Sequence, residues 1–138
     1  MRRIYLDTCI VIYFIERHPD FSEMLETLIS QRAEDEFCFS PLVEMECMVI
    51  PLRTQNHPLK VLFAEFFSAQ TQLAISNGVF QIAAKLRADF PSLKTPDALH
   101  LATALHYGCD EFWSNDGRLN MVAPGLVKNI FASEESVN

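Results

Sequence analysis

The sequence predicts an α/β fold: a parallel sheet of four or five strands sandwiched between layers of helices. Three observations predict it. Short apolar runs alternate with longer amphipathic ones along the 138 residues, the pattern of successive strand–helix units. Two of the apolar runs, Arg3-Ile4-Tyr5-Leu6-Asp7 and Asp110-Glu111-Phe112-Trp113-Ser114-Asn115-Asp116, end on a carboxylate. A third acid, Asp97, stands in Thr95-Pro96-Asp97 at the start of a helical pattern. In open α/β sheets ligands bind outside the carboxyl ends of the strands, and acids at strand ends and helix starts can converge there.

The elements follow in order. Arg3–Asp7 reads as the first strand. The β-branched run Cys9–Glu16 is ambiguous, but one strand from Ile4 to Ile15 would be long, and Asp7-Thr8 offers a helix start, so a helix is expected from about Cys9. Asp20–Glu34 is amphipathic, with Phe21, Met24 or Leu25, and Leu28 on one face. Glu36–Phe39 is the second strand, after which Ser40-Pro41 supplies an N-cap and a first helical residue for a helix to about Ile50. Pro58–Gln70 is the next helix and Gln72–Ser76 the third strand. Asn77-Gly78 leads into a helix with Val79, Ile82, Ala83, Leu86 and Phe90 in phase. Thr95-Pro96 starts another, stopped by Gly108. Glu111–Ser114 is the fourth strand and Leu126–Ile130 a possible fifth. Residues 1–131 are expected to form one domain, with 132–138 as a frayed tail.

Composition narrows the function. Hydrophobic residues make up 49% and charged residues 21%, and Phe occurs 11 times, as in a globular domain with a large core. The formal net charge of −7 argues against broad, non-specific nucleic-acid binding, which needs a basic surface. It leaves room for an enzyme acting on nucleic acid, because acids that hold a cation count toward the total. Cys9, Cys38, Cys47 and Cys109 show no CxxC spacing and read as reduced, buried thiols; the four histidines show no zinc spacing. The apolar run Ile4–Ile15 is broken by Asp7, lacks a small-residue cleavage site and is too short for a membrane span, so a cytoplasmic protein without a membrane partner is expected.

Each acid also fits a purely structural role. Asp7 can cap the following helix, Asp97 can sit at the positive end of its own, and Asp116 before Gly117 can be turn chemistry. Three acids placed at sheet-edge junctions together are harder to dismiss. Converged carboxylates repel each other and call for a hard cation, Mg²⁺ or Mn²⁺. A fourth candidate, Glu46, lies in Leu42-Val43-Glu44-Met45-Glu46-Cys47-Met48-Val49-Ile50, with apolar residues three and four positions away, where a carboxylate is costly unless exposed or paired. Glu44 competes with it, and spacing alone does not choose between them.

At these positions the sequence resembles the PIN-domain ribonucleases, in particular the VapC toxins of type II toxin–antitoxin pairs. Ile4-Tyr5-Leu6-Asp7-Thr8 resembles that family's first strand and first catalytic acid. Ser40-Pro41-Leu42-Val43-Glu44-Met45-Glu46, continuing to Arg53, resembles its second motif and places the functional acid on Glu46. Leu93-Lys94-Thr95-Pro96-Asp97-Ala98-Leu99-His100-Leu101-Ala102-Thr103-Ala104 is similar to the third and is the most specific stretch; Gly108 to Asp116 is similar to the fourth. The likeness spans roughly residues 3 to 131. One departure is Cys9, where the family often carries Asn, a stronger hydrogen-bonding partner.

The resemblance implies a PIN-like three-layer α/β/α sandwich and a metal-dependent endoribonuclease. Asp7, Glu46, Asp97 and Asp116 would hold one or two Mg²⁺ or Mn²⁺ ions and activate water for attack on RNA phosphodiester bonds. Thr8 and Ser114 are candidates to orient the carboxylates. Arg53, Arg87, Lys94 and Arg118 lie nearest the motif segments and are candidates for phosphate contacts, and Phe112 and Trp113 for base stacking if they are not core. A small cognate antitoxin is implied, laying an apolar helix on the toxin near Ile12, Tyr13, Phe14, Ile15, Phe21 and Leu25, and a homodimer is expected from the same apolar excess. The competing readings are an aspartyl-nucleophile phosphatase or a receiver domain, both of which want paired acids where this chain has Asp7-Thr8-Cys9, a non-catalytic PIN-like binding module, and a housekeeping PIN nuclease without an antitoxin.

Overall fold

The computed structural model describes residues 1–132. The chain forms β1 (Arg3–Leu6), α1 (Thr8–Ile15), α2 (Ser22–Gln31), β2 (Glu36–Phe39), α3 (Pro41–Arg53), α4 (His57–Ala69), β3 (Thr71–Gln72), α5 (Asn77–Asp89), α6 (Thr95–His106), β4 (Glu111–Ser114), a 3₁₀ turn (Gly117–Met121) and β5 (Val127–Asn129). All five strands are parallel, in the order β3-β2-β1-β4-β5. The chain winds outward from β1 in one direction, then returns to β1's other side with β4. Right-handed crossovers therefore put α1–α4 on one face and α5–α6 on the other, giving the expected α/β/α sandwich. Burial agrees: all four residues of β4, and Ile4, Tyr5 and Leu6 of β1, are buried, as strands covered on both faces must be. The buried apolar side chains form a cluster that runs through the sheet and both helical layers.

Differences from the sequence reading have local causes. β3 pairs only through Thr71–Gln72, and Leu73 donates a last bond to the Phe39 carbonyl at 2.7 Å. Its partner β2 ends at Phe39, where Ser40-Pro41 turns into α3, so the expected strand to Ser76 has nothing further to pair with. Ser40 occupies the N-cap position of α3 but makes no side-chain cap bond; its hydroxyl goes elsewhere, as described below. α3 passes through Pro51 to Arg53 instead of stopping at Ile50, because a proline in the last turn deletes only one helical bond. α1 starts at Thr8 and α2 is shorter at both ends than Asp20–Glu34. The 3₁₀ turn after Asp116 was not expected. The expected tail, 132–138, lies outside the described residues beyond Ala132. No helix among the described residues is long and apolar enough to cross a membrane.

The apolar surplus is distributed differently from the sequence reading. Leu25 is fully buried, and Ile12, Tyr13, Phe14 and Ile15 pack partly against the core. Among the described residues, most exposed large apolar side chains lie on other helices, including Val49, Ile50 and Leu52 of α3, Val61 and Leu62 of α4, and Phe80 of α5, with Met24 exposed on α2. Phe112 and Trp113 are both buried, which removes them as base-stacking surfaces.

α6 ends in a Schellman motif. Gly108 has φ +66°, its N–H donates to Leu105 and the Cys109 N–H donates to Ala104. A Cβ at Gly108 would meet nothing within 4 Å, so Gly108→Ala tests backbone strain alone. It should lower unfolding stability by about 1–2 kcal/mol in urea titration with an unchanged denaturant slope. A loss below a few tenths would mean that the turn adapts.

Candidate active site

The pairing of β1 with β4 builds the site. Leu6 lies beside Trp113, so Asp7 and Ser114 leave the sheet together at its carboxyl edge. The switch in strand order falls between these two strands, where open α/β sheets bind ligands. The Asp7 N–H donates to the Trp113 carbonyl at 3.0 Å. The Ser114 hydroxyl donates to Asp7 Oδ2 at 2.7 Å and accepts from the Asp116 N–H at 3.0 Å. One serine thus ties the two strand-end acids together.

Asp7 also caps α1, its Oδ1 accepting from the Thr8 N–H at 2.9 Å. Thr8 Oγ1 donates to Glu46 Oε1 at 2.8 Å. The same oxygen of Glu46 lies 2.6 Å from His100 Nε2, and Asp7 Oδ1 lies 4.0 Å from that nitrogen. Glu44 points away, accepting from Gln72 Nε2 at 3.2 Å near the β3 edge. Of the two competing glutamates, Glu46 is therefore the one beside Asp7. Asp97, the third residue of α6, faces the same cleft: after burial, the charges of Asp7 and Asp116 are what push its carboxyl above the usual range.

The electrostatics divide the acids. Burial pushes Glu46 up, but hydrogen bonds from His100 and Thr8 outweigh it and hold the carboxyl below the usual range. The Arg118 guanidinium lowers Asp116, gripping both its oxygens at 2.9 and 2.7 Å and outweighing the push of burial. Asp97 is raised by burial and by the charges of Asp7 and Asp116, which outweigh the opposing pull of His100 and Arg118. Cys9 stands 4.0 Å from Asp7 Oδ2, and burial and that charge push its thiol up to about 11, so it stays protonated and a weak partner.

The candidate cations differ in placement. Arg118 is 80% exposed and already engages Asp116. Lys94 is exposed at the N-cap position of α6, three residues before Asp97. Arg87 is exposed, with its Nε donating to the Leu93 carbonyl at 3.0 Å. Arg53 is exposed at the far end of α3, two turns beyond Glu46.

The sequence reading passed over His100, which is 2% exposed, and Tyr5, which is fully buried. The Tyr5 hydroxyl lies 2.8 Å from His100 Nδ1 and 2.8 Å from Ser40 Oγ, so Ser40 serves this chain instead of capping α3. Burial raises the Tyr5 hydroxyl far above the usual phenol range, and it stays protonated. The available signal was position: His100 is three residues after Asp97, on the same helical face.

The donor set suits a hard divalent cation, since all four acids offer oxygen, and the repulsion of Asp97 by Asp7 and Asp116 is what such an ion would relieve. Among the described residues no three of these side chains already converge as a closed metal cage: Arg118 holds Asp116 through both oxygens, and Glu46 is held through one. Asp97 has its folded pKa raised, so its share of stability is present at acid pH and is lost as pH rises through that raised value. Asp97→Asn should therefore raise the thermal midpoint at pH 7, without divalent ions. The gain should shrink toward zero below the ordinary aspartate range. A lower midpoint at pH 7 would show that Asp97 stabilises the cleft instead.

The PIN domain family model matches residues 4–123. VapBC2 of Rickettsia felis, solved on a DNA fragment from its promoter, is similar with a TM-score of 0.76 at 16% identity, covering 91% of this chain and 97% of that one. A toxin–antitoxin complex from Klebsiella pneumoniae gives 0.72 at 23% identity, covering 91% and 96%. VapC20 of Mycobacterium tuberculosis, a toxin that cleaves the sarcin–ricin loop, gives 0.71 at 16% identity, covering 87% and 95%. No curated protein matches in sequence. A family model that covers most of the chain shows that the chain belongs to the PIN domain family.

Proposed function

We propose that this chain is a Mg²⁺- or Mn²⁺-dependent endoribonuclease acting as the toxin of a toxin–antitoxin pair, with residues 1–131 as its single catalytic unit. The observation that carries the reading is the grouping of Asp7, Glu46, Asp97 and Asp116 at the sheet's switch point. When bound, the ion supplies an activated water and offsets charge developing on the phosphate. The chain's own residues do the rest. Ser114 and Thr8 fix the Asp7 carboxylate from two sides, so it needs no reorganisation to bind. Arg118 and Lys94 flank the acids and offer positive charge to the phosphates of an RNA strand.

Support for an inhibitory partner comes from the fold's neighbours, several of which are toxin–antitoxin complexes, and from a cleft of about 230 Å³ lined by Phe14, Ile15, Arg17, Ser22, Glu26 and Leu62. Its mixed apolar and charged wall suits an amphipathic antitoxin helix. A homodimer and a cytoplasmic location complete the proposal. The second reading, a PIN nuclease without an antitoxin, shares the chemistry and differs only in the partner.

Four outcomes test this. Asp7→Asn and Asp97→Asn should each reduce RNA cleavage by at least about 100-fold, the scale of losing placed charge stabilisation, while circular dichroism stays native. Glu46→Gln should be far more damaging than Glu44→Gln; the reverse order would move the second motif's acid to Glu44. Millimolar Mn²⁺ should raise the thermal midpoint by linkage, and no shift together with no calorimetric binding would remove the metal. Co-expression with an adjacent small gene should rescue growth that the chain alone arrests; equal growth with an active enzyme would leave the housekeeping reading.

A further inference from the structure

We propose that His100 is a positioning residue of this site: its Nε2–H holds Glu46 by Oε1 and leaves Oε2 unengaged, while the Ser40–Tyr5 hydroxyl pair locks the ring from behind. The inference rests on the metal-dependent reading above and assigns a role that the four acids do not cover.

The geometry leaves the imidazole little choice. His100 is 2% exposed on a helix stretch whose neighbours Ala98, Leu101, Ala102 and Ala104 are fully buried. A polar ring there is costly unless both nitrogens are paired. They are, and by different elements: Tyr5 of β1 lies on Nδ1 at 2.8 Å and Glu46 of α3 on Nε2 at 2.6 Å. The roles follow from counting protons. An ionised carboxylate only accepts, so Nε2 must carry the hydrogen that faces it. With a neutral ring, Nδ1 accepts from the Tyr5 hydroxyl, which in turn accepts from Ser40. With a charged ring the two hydroxyl bonds reverse, and the Nε2–H still points at Glu46.

Two further observations separate this chain from ordinary core satisfaction. Ser40 stands at an N-cap position and makes no cap bond, forgoing a stabilising contact to reach Tyr5. Glu46 spends one oxygen on both Thr8 and His100, and Oε2 has no hydrogen-bond partner among the described residues. A ligand held by one oxygen with the other open suits a cation, and loss of such a holding partner typically weakens metal affinity by about 10–100-fold.

The test is Mn²⁺ calorimetry on wild type, His100→Gln and His100→Asn, with thermal midpoints for each. Gln places its amide nitrogen near the original Nε2 and Asn near Nδ1. Expected is Mn²⁺ affinity within about threefold of wild type for Gln and at least about tenfold weaker for Asn, with similar midpoints for both variants. Equal affinities in the two variants, whether both retained or both lost, would overturn the positioning role. If Asn does not fold, ¹⁵N spectra of the wild-type imidazole decide: hydrogen on Nε2 supports the role, and a neutral ring protonated only on Nδ1 overturns it. Wild type that binds no Mn²⁺ overturns the metal reading itself, and this inference with it.

Discussion

Everything in this molecule depends on the register of β1 against β4. Ile4, Tyr5 and Leu6 lie beside Glu111, Phe112 and Trp113, and only this alignment brings Asp7 level with Ser114. A slip of one residue would turn every side chain of the strand to the other face. The register is clamped at both ends and in the middle. At the amino edge, Asp110 Oδ2 accepts from the Arg3 N–H at 2.8 Å and the Arg3 guanidinium reaches the Tyr107 carbonyl at 3.1 Å. In the middle, Tyr5 stacks on Phe112 at 5.2 Å, a geometry that aromatic pairs favour. At the carboxyl edge, Ser114 closes on Asp7.

Two partly or fully buried glutamates show how the same residue type is made structural at one end of the sheet and open at the other. Glu111, at the amino end of β4, accepts from Trp113 Nε1 on Oε1 at 3.1 Å and from Arg32 on Oε2 at 2.8 Å. Both oxygens are occupied and the charge is neutralised by arginine, which is how a buried carboxylate is normally kept. Glu46 is held through one oxygen, by a threonine and a histidine, with no arginine or lysine at hydrogen-bonding distance among the described residues. One arrangement ends an ion network, and the other leaves part of it unfilled.

Much of this was legible in the chain. The strand–helix alternation and the capping signals placed ten of the elements close to their observed positions, because period and punctuation are local properties. β3 was overextended because its length is set by the end of β2, which no local pattern of Gln72–Ser76 contains. The three junction acids were legible because a strand end is a readable place. Glu46 against Glu44 was not resolved by spacing, since both lie within the first turns of α3, and three-dimensional contact with Thr8 and His100 separates them. His100 and Tyr5 went unread because a histidine among alanines and leucines, or a tyrosine in a strand, looks like core until its partners from other elements arrive. Ser40 misled in an instructive way. Its sequence context is that of a helix cap, and a buried phenol competed successfully for its hydroxyl.

The double duty of Asp7 has a consequence for how such a chain can change over generations. Its side chain starts α1 with one oxygen and receives Ser114 with the other. Asparagine caps helices as well as aspartate does, keeps the shape and gives up the charge. The codons of the two residues differ by a single base. The fold is thus one nucleotide from a copy that still assembles, still presents the same surfaces to any partner, and no longer carries the first acid. Under the proposed function, descendants of this kind would lose the chemistry before they lost the shape, so that inactive relatives acting purely as binding proteins would be a natural neighbour of this sequence.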